Sequence, residues 1–301
     1  MPYDHVLLIG FGGPEKKEEV RPFLEEVSRG RNISSARLEE VARHYEAIGG
    51  RSPYTPAVRQ LAEDLHRLTR LPVFYGMRNW HPFLKEVLPE IRKQNLKQGF
   101  AFILAPHRSQ ASYDRYLTAL QEAGGPLHAA DYEMAPAWHI HPLFIEAWVK
   151  QIKKILKPDS SLLFTAHSIP LSMAANCGYD SEIRASCERM VKSLGTKRWH
   201  LAYQSQSPRP GEAWLGPDLT ETLKKIREEG NREAALAPVG FLCENAEILY
   251  DLDIAAKKEA EQMGLIYRRS ACVLNEEPFA RMIAGLTGLS SVMSGRGVAV
   301  Q

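Results

Sequence analysis

The chain has 301 residues, of which 44% are hydrophobic and 25% charged, and a formal net charge of +2. These proportions belong to a folded globular protein rather than a disordered or fibrous one, and the length favours two lobes over one growing core. Lys and Arg are interleaved with Glu and Asp and form no basic tail, which argues against a nucleic-acid partner.

Met1-Pro2-Tyr3-Asp4-His5 carries neither the basic n-region nor the long apolar h-region of a secretory signal. No run approaches the roughly 18 apolar residues of a membrane span, so a cytoplasmic protein without a transmembrane segment is expected. The first strand is predicted at Val6 to Ile9. Gly10-Phe11-Gly12-Gly13-Pro14 then begins like a dinucleotide fingerprint, but the proline and Glu15-Lys16-Lys17 break it. Beyond a polar stretch from Ser28 to Ser52, Thr55-Pro56 places proline at a helix start, with Val58, Leu61 and Leu65 spaced for one apolar face. Further strands are predicted at Val73 to Tyr75, Phe102 to Leu104, Leu162 to Phe164, Leu201 to Tyr203 and Ala234 to Leu236. Asp218-Leu219-Thr220-Glu221 reads as a capping box for a helix running through Leu223 and Ile226 to a stop at Gly230. Strands alternating with helices indicate an α/β protein with parallel sheets.

The two halves echo each other. Val6 to Pro14 and Leu162 to Pro170 both read as strand, sharp loop and proline, and each half later repeats a tripeptide, Leu104-Ala105-Pro106 and Leu236-Ala237-Pro238. The interval is about 24 residues longer in the first half, and the polar stretch from Ser28 to Ser52 is the natural place for that insertion. Two lobes, 1–145 and 146–301, are expected to face each other with the carboxyl ends of their strands, where open α/β sheets bind ligands.

Cys177, Cys187, Cys243 and Cys272 include no CxxC pair, so reduced, mostly buried thiols are expected, with no iron–sulfur cluster and no tightly bound cofactor. GxxxxGK[ST], HExxH and GxSxG motifs are absent, which removes the usual support for nucleotide and triad chemistry. His167 follows an apolar strand in Ala166-His167-Ser168. A lone histidine is more often structural than catalytic, but this position favours a cleft. Glu244, Glu247 and Asp251 fall at i, i+3 and i+7, along one side of a helix start, although a solvated acidic face has the same spacing. Trp214 reads as packing beneath the cleft.

Gly10 to Pro14, Arg29-Gly30-Arg31, Tyr45 to Pro53, Thr165 to Pro170, Tyr203-Gln204-Ser205, Trp214 to Pro217, and Pro238 to Phe241 with Glu247 resemble the ferrochelatase family, in the family's order and over nearly the whole chain. The resemblance implies two Rossmann-like lobes, each with a four-stranded parallel sheet flanked by helices, and a porphyrin clamped between them. It makes His167 and Glu247 the catalytic and metal-handling pair; Asp251 continues an acidic path, which with Ala255 in place of a further acid is either shorter or uses Glu244 or Asp253. It also puts Phe11, Tyr45, Ser52 and Tyr116 against the ring, with Arg29 or Arg31 near a propionate. Imidazole and carboxylate suit a divalent first-row metal that must still leave, and a histidine titrating near neutrality suits the departing pyrrole protons. Fe²⁺ and porphyrin are then substrates of a monomer acting in haem biosynthesis.

The sequence also departs from the family pattern. Asn245 stands where the family commonly has a second histidine, Ala255 where it often has a further acid, and Phe11 where the coproporphyrin-using relatives have tyrosine. The Arg-Gly-Arg and Tyr-Glu-Ala-Ile-Gly-Gly segments look most like the Gram-positive type, which uses coproporphyrin III, and the polar insertion agrees. The alternatives are protoporphyrin IX as substrate, insertion of cobalt or nickel into another tetrapyrrole, and a non-catalytic haem or porphyrin carrier.

Overall fold

The computed structural model describes residues 2–30, 33–124, 131–206 and 211–288. The first half runs β1 (His5–Gly10), α1 (Lys17–Val27), α2 (Ser35–Ala47), α3 (Tyr54–Thr69), β2 (Val73–Met77), α4 (Leu84–Lys93), β3 (Gly99–Ile103), α5 (Arg115–Gly124) and β4 (Tyr132–Met134). After α6 (Pro142–Ile155), the second half runs β5 (Ser160–His167), α7 (Leu171–Ala174), α8 (Tyr179–Leu194), β6 (Trp199–Gln204), α9 (Leu219–Glu228) and β7 (Glu233–Ala237). It continues through a π-helix (Glu247–Ala256), α10 (Lys257–Gln262), β8 (Ile266–Arg269) and α11 (Glu277–Leu286).

The two sheets have the same topology. Their orders are β2-β1-β3-β4 and β6-β5-β7-β8, and every described pairing is parallel. The central strands are covered by helices on both faces, so β1 buries all six of its residues, and this is why they read as continuous apolar runs. The expected strands are found with shifted ends, and β4 and β8 are added at one edge of each sheet. Between β1 and β2 the chain inserts α1 and α2, which accounts for the longer first half.

Local signals act as the sequence indicates, with one adjustment. α3 buries Val58, Leu61 and Leu65 completely, but it begins at Tyr54, so Pro56 lies in its first turn rather than at its first position. Asp218 caps α9 by accepting from Thr220 N at 2.8 Å.

The boundary expected between residues 145 and 146 falls inside α6, because the lobes share a core there. α11 packs on both α6 and α3. Phe279 of α11 meets Trp138 at 5.6 Å, Phe102 of β3 at 6.1 Å and Phe144 of α6 at 6.2 Å between ring centroids. One apolar cluster therefore runs from the first sheet into the second.

Candidate active site

β5 extends to His167, which is the strand's last residue and pairs in register with Gln204 at the end of β6. Its carbonyl accepts from the buried Tyr179 hydroxyl at 2.9 Å. Its Nδ1 lies 2.5 Å from the Ser168 carbonyl. A carbonyl only accepts, so Nδ1 carries the proton and Nε2 is left with a free lone pair. Nε2 faces Glu247 Oε1 at 4.0 Å, too far for a hydrogen bond and at the upper limit of about 4 Å that two donors each roughly 2 Å from a shared cation can span.

Glu247 opens the π-helix. That helix is anchored by Ile248, Leu252 and Ala256, four residues apart and buried against the second sheet, which leaves Glu247 and Asp251 together on the cleft side. Two turns of i→i+5 helix are unusual, and such segments cluster at functional sites. Asn245 has a structural task here, since its Oδ1 accepts from Ile248 N at 3.0 Å and caps the helix start. Burial pushes the Glu247 carboxyl above the ordinary carboxylate range; His167 opposes the shift and Asp251 adds to it. The side chain is still 46% exposed to cleft solvent, so the shift comes from the protein mass of both lobes around it rather than from complete exclusion of water.

The loop carrying Glu247 lies hard against β5. Gly240 N donates to Thr165 O at 3.1 Å, and a Cβ at Gly240 would lie 2.6 Å from Ala166 Cβ and 2.7 Å from Ala166 Cα. Residues 213–215 run along the other side of the His167 turn, with Leu171 N bonded to Ala213 O and Leu215 N to Ile169 O, each at 2.9 Å. Trp214 is half-buried in this segment, where it bridges to Pro170.

Glu244 corrects the expectation of three carboxylates along one helix side. It precedes the helix and is tied to Arg269 Nη1 and Cys272 N, at 3.1 and 3.0 Å. The same guanidinium holds Asp253 by a fork of 2.5 and 2.7 Å. Arg269 thus withdraws both acids from the line that Glu247 and Asp251 form.

Among the expected ring contacts, Phe11 is half-buried, while Tyr45, Ser52 and Tyr116 are buried. Tyr45 packs with Val20, Phe23 and Leu24, and Ala246 at the π-helix start joins that cluster. Ser52 is held by its N–H to Pro14 O at 2.7 Å, and its Oγ accepts from Tyr54 N at 3.3 Å. Arg29 is 76% exposed and paired with Glu26; Arg31 lies outside the described residues. Sequence reasoning misses Arg78, whose guanidinium sits 5.6 Å from the Phe11 ring and 5.5 Å from the Tyr116 ring, joining two of the expected contacts. Its signal was hidden because Arg78 lies one residue beyond β2, far in sequence from both rings.

The other chemistry-bearing side chains are arranged differently. Cys187, Cys243 and Cys272 have thiols pushed up by burial, and all four cysteines are free. Among the described residues no group of three or more His, Cys, Asp or Glu is placed to hold a metal ion, so His167 and Glu247 stand as a two-donor pair. No helix among them is long and apolar enough to cross a membrane.

The fold and this strand-end pair define a class, the two-lobed α/β metal chelatases. SirB from Bacillus subtilis, solved with Fe³⁺, matches with a TM-score of 0.60 over 96% of this chain and 96% of its own, at 9% identity. CbiX, the terminal enzyme for siroheme biosynthesis in denitrifying bacteria, matches with a TM-score of 0.57 over 94% and 98%, at 14% identity. At such identities they establish the fold. The sequence profile of the ferrochelatases covers residues 3–289. The ferrochelatase of Rhodopirellula baltica is 33% identical over 303 residues, 95% of this chain and 85% of the relative. The coproporphyrin III ferrochelatase of Mycobacterium marinum is 33% identical over 295 residues, 95% and 86% of the two chains. The chain belongs to the ferrochelatase family, and it is a metal-inserting lyase.

Proposed function

We propose that the protein inserts Fe²⁺ into coproporphyrin III in the cytoplasm, as a step of haem biosynthesis, with His167 and Glu247 at the ring centre. The observation that carries this reading is the pair itself: a free imidazole Nε2 and a carboxylate 4.0 Å apart at the carboxyl end of β5. Insertion removes two pyrrole protons. Nε2 accepts because Nδ1–H is committed to a carbonyl, and Glu247, made a stronger base by burial, takes the other proton. Asp251, one turn on, extends negative charge outward along the route a hydrated cation takes. Fe²⁺ is the substrate and no resident cofactor is needed.

The porphyrin assignment is supported by the mycobacterial relatives and by the polar character of α1, α2 and their loop. Ile33 is the one exposed large apolar side chain among the described residues of that lip. Arg78, held between Phe11 and Tyr116, supplies a fixed positive charge for a substrate rich in carboxylates.

Anaerobic incubation with Fe²⁺ and either coproporphyrin III or protoporphyrin IX, followed by absorbance, tests the reading against a His167→Ala control. Faster turnover of coproporphyrin III, lost in the variant, is expected. Preference for protoporphyrin IX would overturn the substrate assignment; tight porphyrin binding without His167-dependent insertion would make the protein a carrier.

A further inference from the structure

β6 ends on Gln204, whose carbonyl accepts from Ser168 N at 2.8 Å, so the strand end is locked beside His167. The next residue, Ser205, holds φ at 59°, left-handed backbone that disfavours any side chain with a Cβ. Arg70 and Asn95 also adopt positive φ, but Arg70 caps α3 and Asn95 follows the end of α4, ordinary places for a helix to stop. Ser205 ends no helix. Its turn instead carries Oγ to the π-helix, where it donates to Asp251 Oδ2 at 2.7 Å. The same helical turn is held from the opposite lobe by His44 of α2, which stacks on Tyr250 with centroids 3.6 Å apart and planes 10° from parallel.

We infer that Ser205 is a positioning residue whose left-handed turn fastens the Asp251 carboxylate one turn from Glu247, aimed along the approach of a hydrated divalent cation to His167. The inference rests on the chelatase reading above. A hydroxyl donating to a carboxylate makes a charge-assisted bond and selects one side-chain orientation. His44, stacked on Tyr250, fixes the adjacent backbone from the other lobe, so Asp251 is held both through its main chain and through its side chain. An unfastened Asp251 retains its charge but loses its aim, which weakens capture of the cation and leaves the porphyrin site intact. The strained backbone persists because glycine, which would relieve it, has no hydroxyl to offer.

Three substitutions separate the hydroxyl from the backbone. Ser205→Gly removes the strain and the hydroxyl; Ser205→Ala keeps the strain and removes the hydroxyl; Ser205→Thr keeps the hydroxyl and, being β-branched, increases the strain. Tm is expected to fall in the order Gly, Ser, Thr. Insertion efficiency is expected to follow a different order, Ser, then Thr, then Gly and Ala together. KM for Fe²⁺ should rise about 3- to 10-fold in the Gly and Ala variants, with KM for porphyrin unchanged. Efficiency that follows Tm, or a parallel rise in both KM values, overturns the inference. An unsubstituted protein that inserts no iron brings down the chelatase reading and this inference with it. An unsubstituted protein that inserts iron, with variants that keep its KM for Fe²⁺, brings down the inference alone.

Discussion

Replacing Gly240 by alanine tests whether the loop that carries Glu247 is held against β5 as closely as the structure indicates. The added methyl would sit 2.6 and 2.7 Å from Ala166 Cβ and Cα, about 1 Å inside ordinary carbon–carbon contact. No rotamer change relieves this, because the obstacles are a backbone carbon and the Cβ attached to it. The loop or the strand must move instead. Overpacking of this kind costs about 1–3 kcal/mol, and in a domain of this size each kcal/mol lowers Tm by roughly 2–4 °C. The Gly240 N to Thr165 O bond at 3.1 Å lies in the same contact, so it lengthens as the loop retreats. Displacement of about 1 Å also separates Glu247 from His167, and misplacement on that scale costs on the order of 10²-fold in rate. Urea denaturation and anaerobic iron insertion on Gly240→Ala should therefore both fall, with KM for porphyrin little changed. A variant with parental stability and turnover would refute the packing argument and the dependence of the pair on this loop.

Glu247→Gln should abolish at least about 10²-fold of the insertion rate while stabilising the fold. The folded-state pKa of Glu247 lies above the ordinary carboxylate value, so its contribution to stability is present at low pH and lost as pH rises through the folded value. The variant's Tm advantage should accordingly appear at about pH 8 and vanish near about pH 4, a difference that differential scanning calorimetry reads directly. Tyr179→Phe leaves the His167 carbonyl without its donor at a buried position; a loss of about 1–2 kcal/mol in urea denaturation and a reduced kcat are expected. Arg269→Met strands the Glu244 and Asp253 carboxylates around a side chain that is only 13% exposed. It should cost about 3 kcal/mol, the lower end for a buried ion pair because both carboxylates keep part of their solvent contact, and the loss should shrink as salt rises from about 0.05 to 0.5 M.

Much of this molecule is legible in the residue order. Central strands buried on both faces carry near-continuous apolar runs, so β1, β3, β5 and β7 advertise themselves, and the repeated Leu-Ala-Pro tripeptides mark corresponding strands, β3 and β7, of the two sheets. β4 and β8 do not, because Tyr132–Met134 and Ile266–Arg269 are short edge strands whose few residues include Glu133, Arg268 and Arg269, so no apolar run marks them. The π-helix is equally silent: burial of residues 248, 252 and 256 fits an ordinary helix nearly as well, and only the backbone bonding tells them apart. Glu244 looked equivalent to Glu247 and Asp251 because spacing carries no information about Arg269, which arrives from a strand 25 residues further along. Asn245 looked like a loss of chemistry, yet its amide supplies the helix cap that a histidine in its place would have to provide differently.

The placement of α11 has a consequence for how the chain is made. Its Phe279 completes a layer of aromatic rings against Phe102 and Trp138, which belong to the first half, and the helix packs on α3 as well. During synthesis the first sheet is therefore finished long before the surface that covers it leaves the ribosome. Until α11 emerges, that half exposes an apolar face of its own. Neither half reaches its final core alone, and the protein should melt in one cooperative transition, with any nascent chain truncated before residue 277 dependent on chaperones to stay soluble.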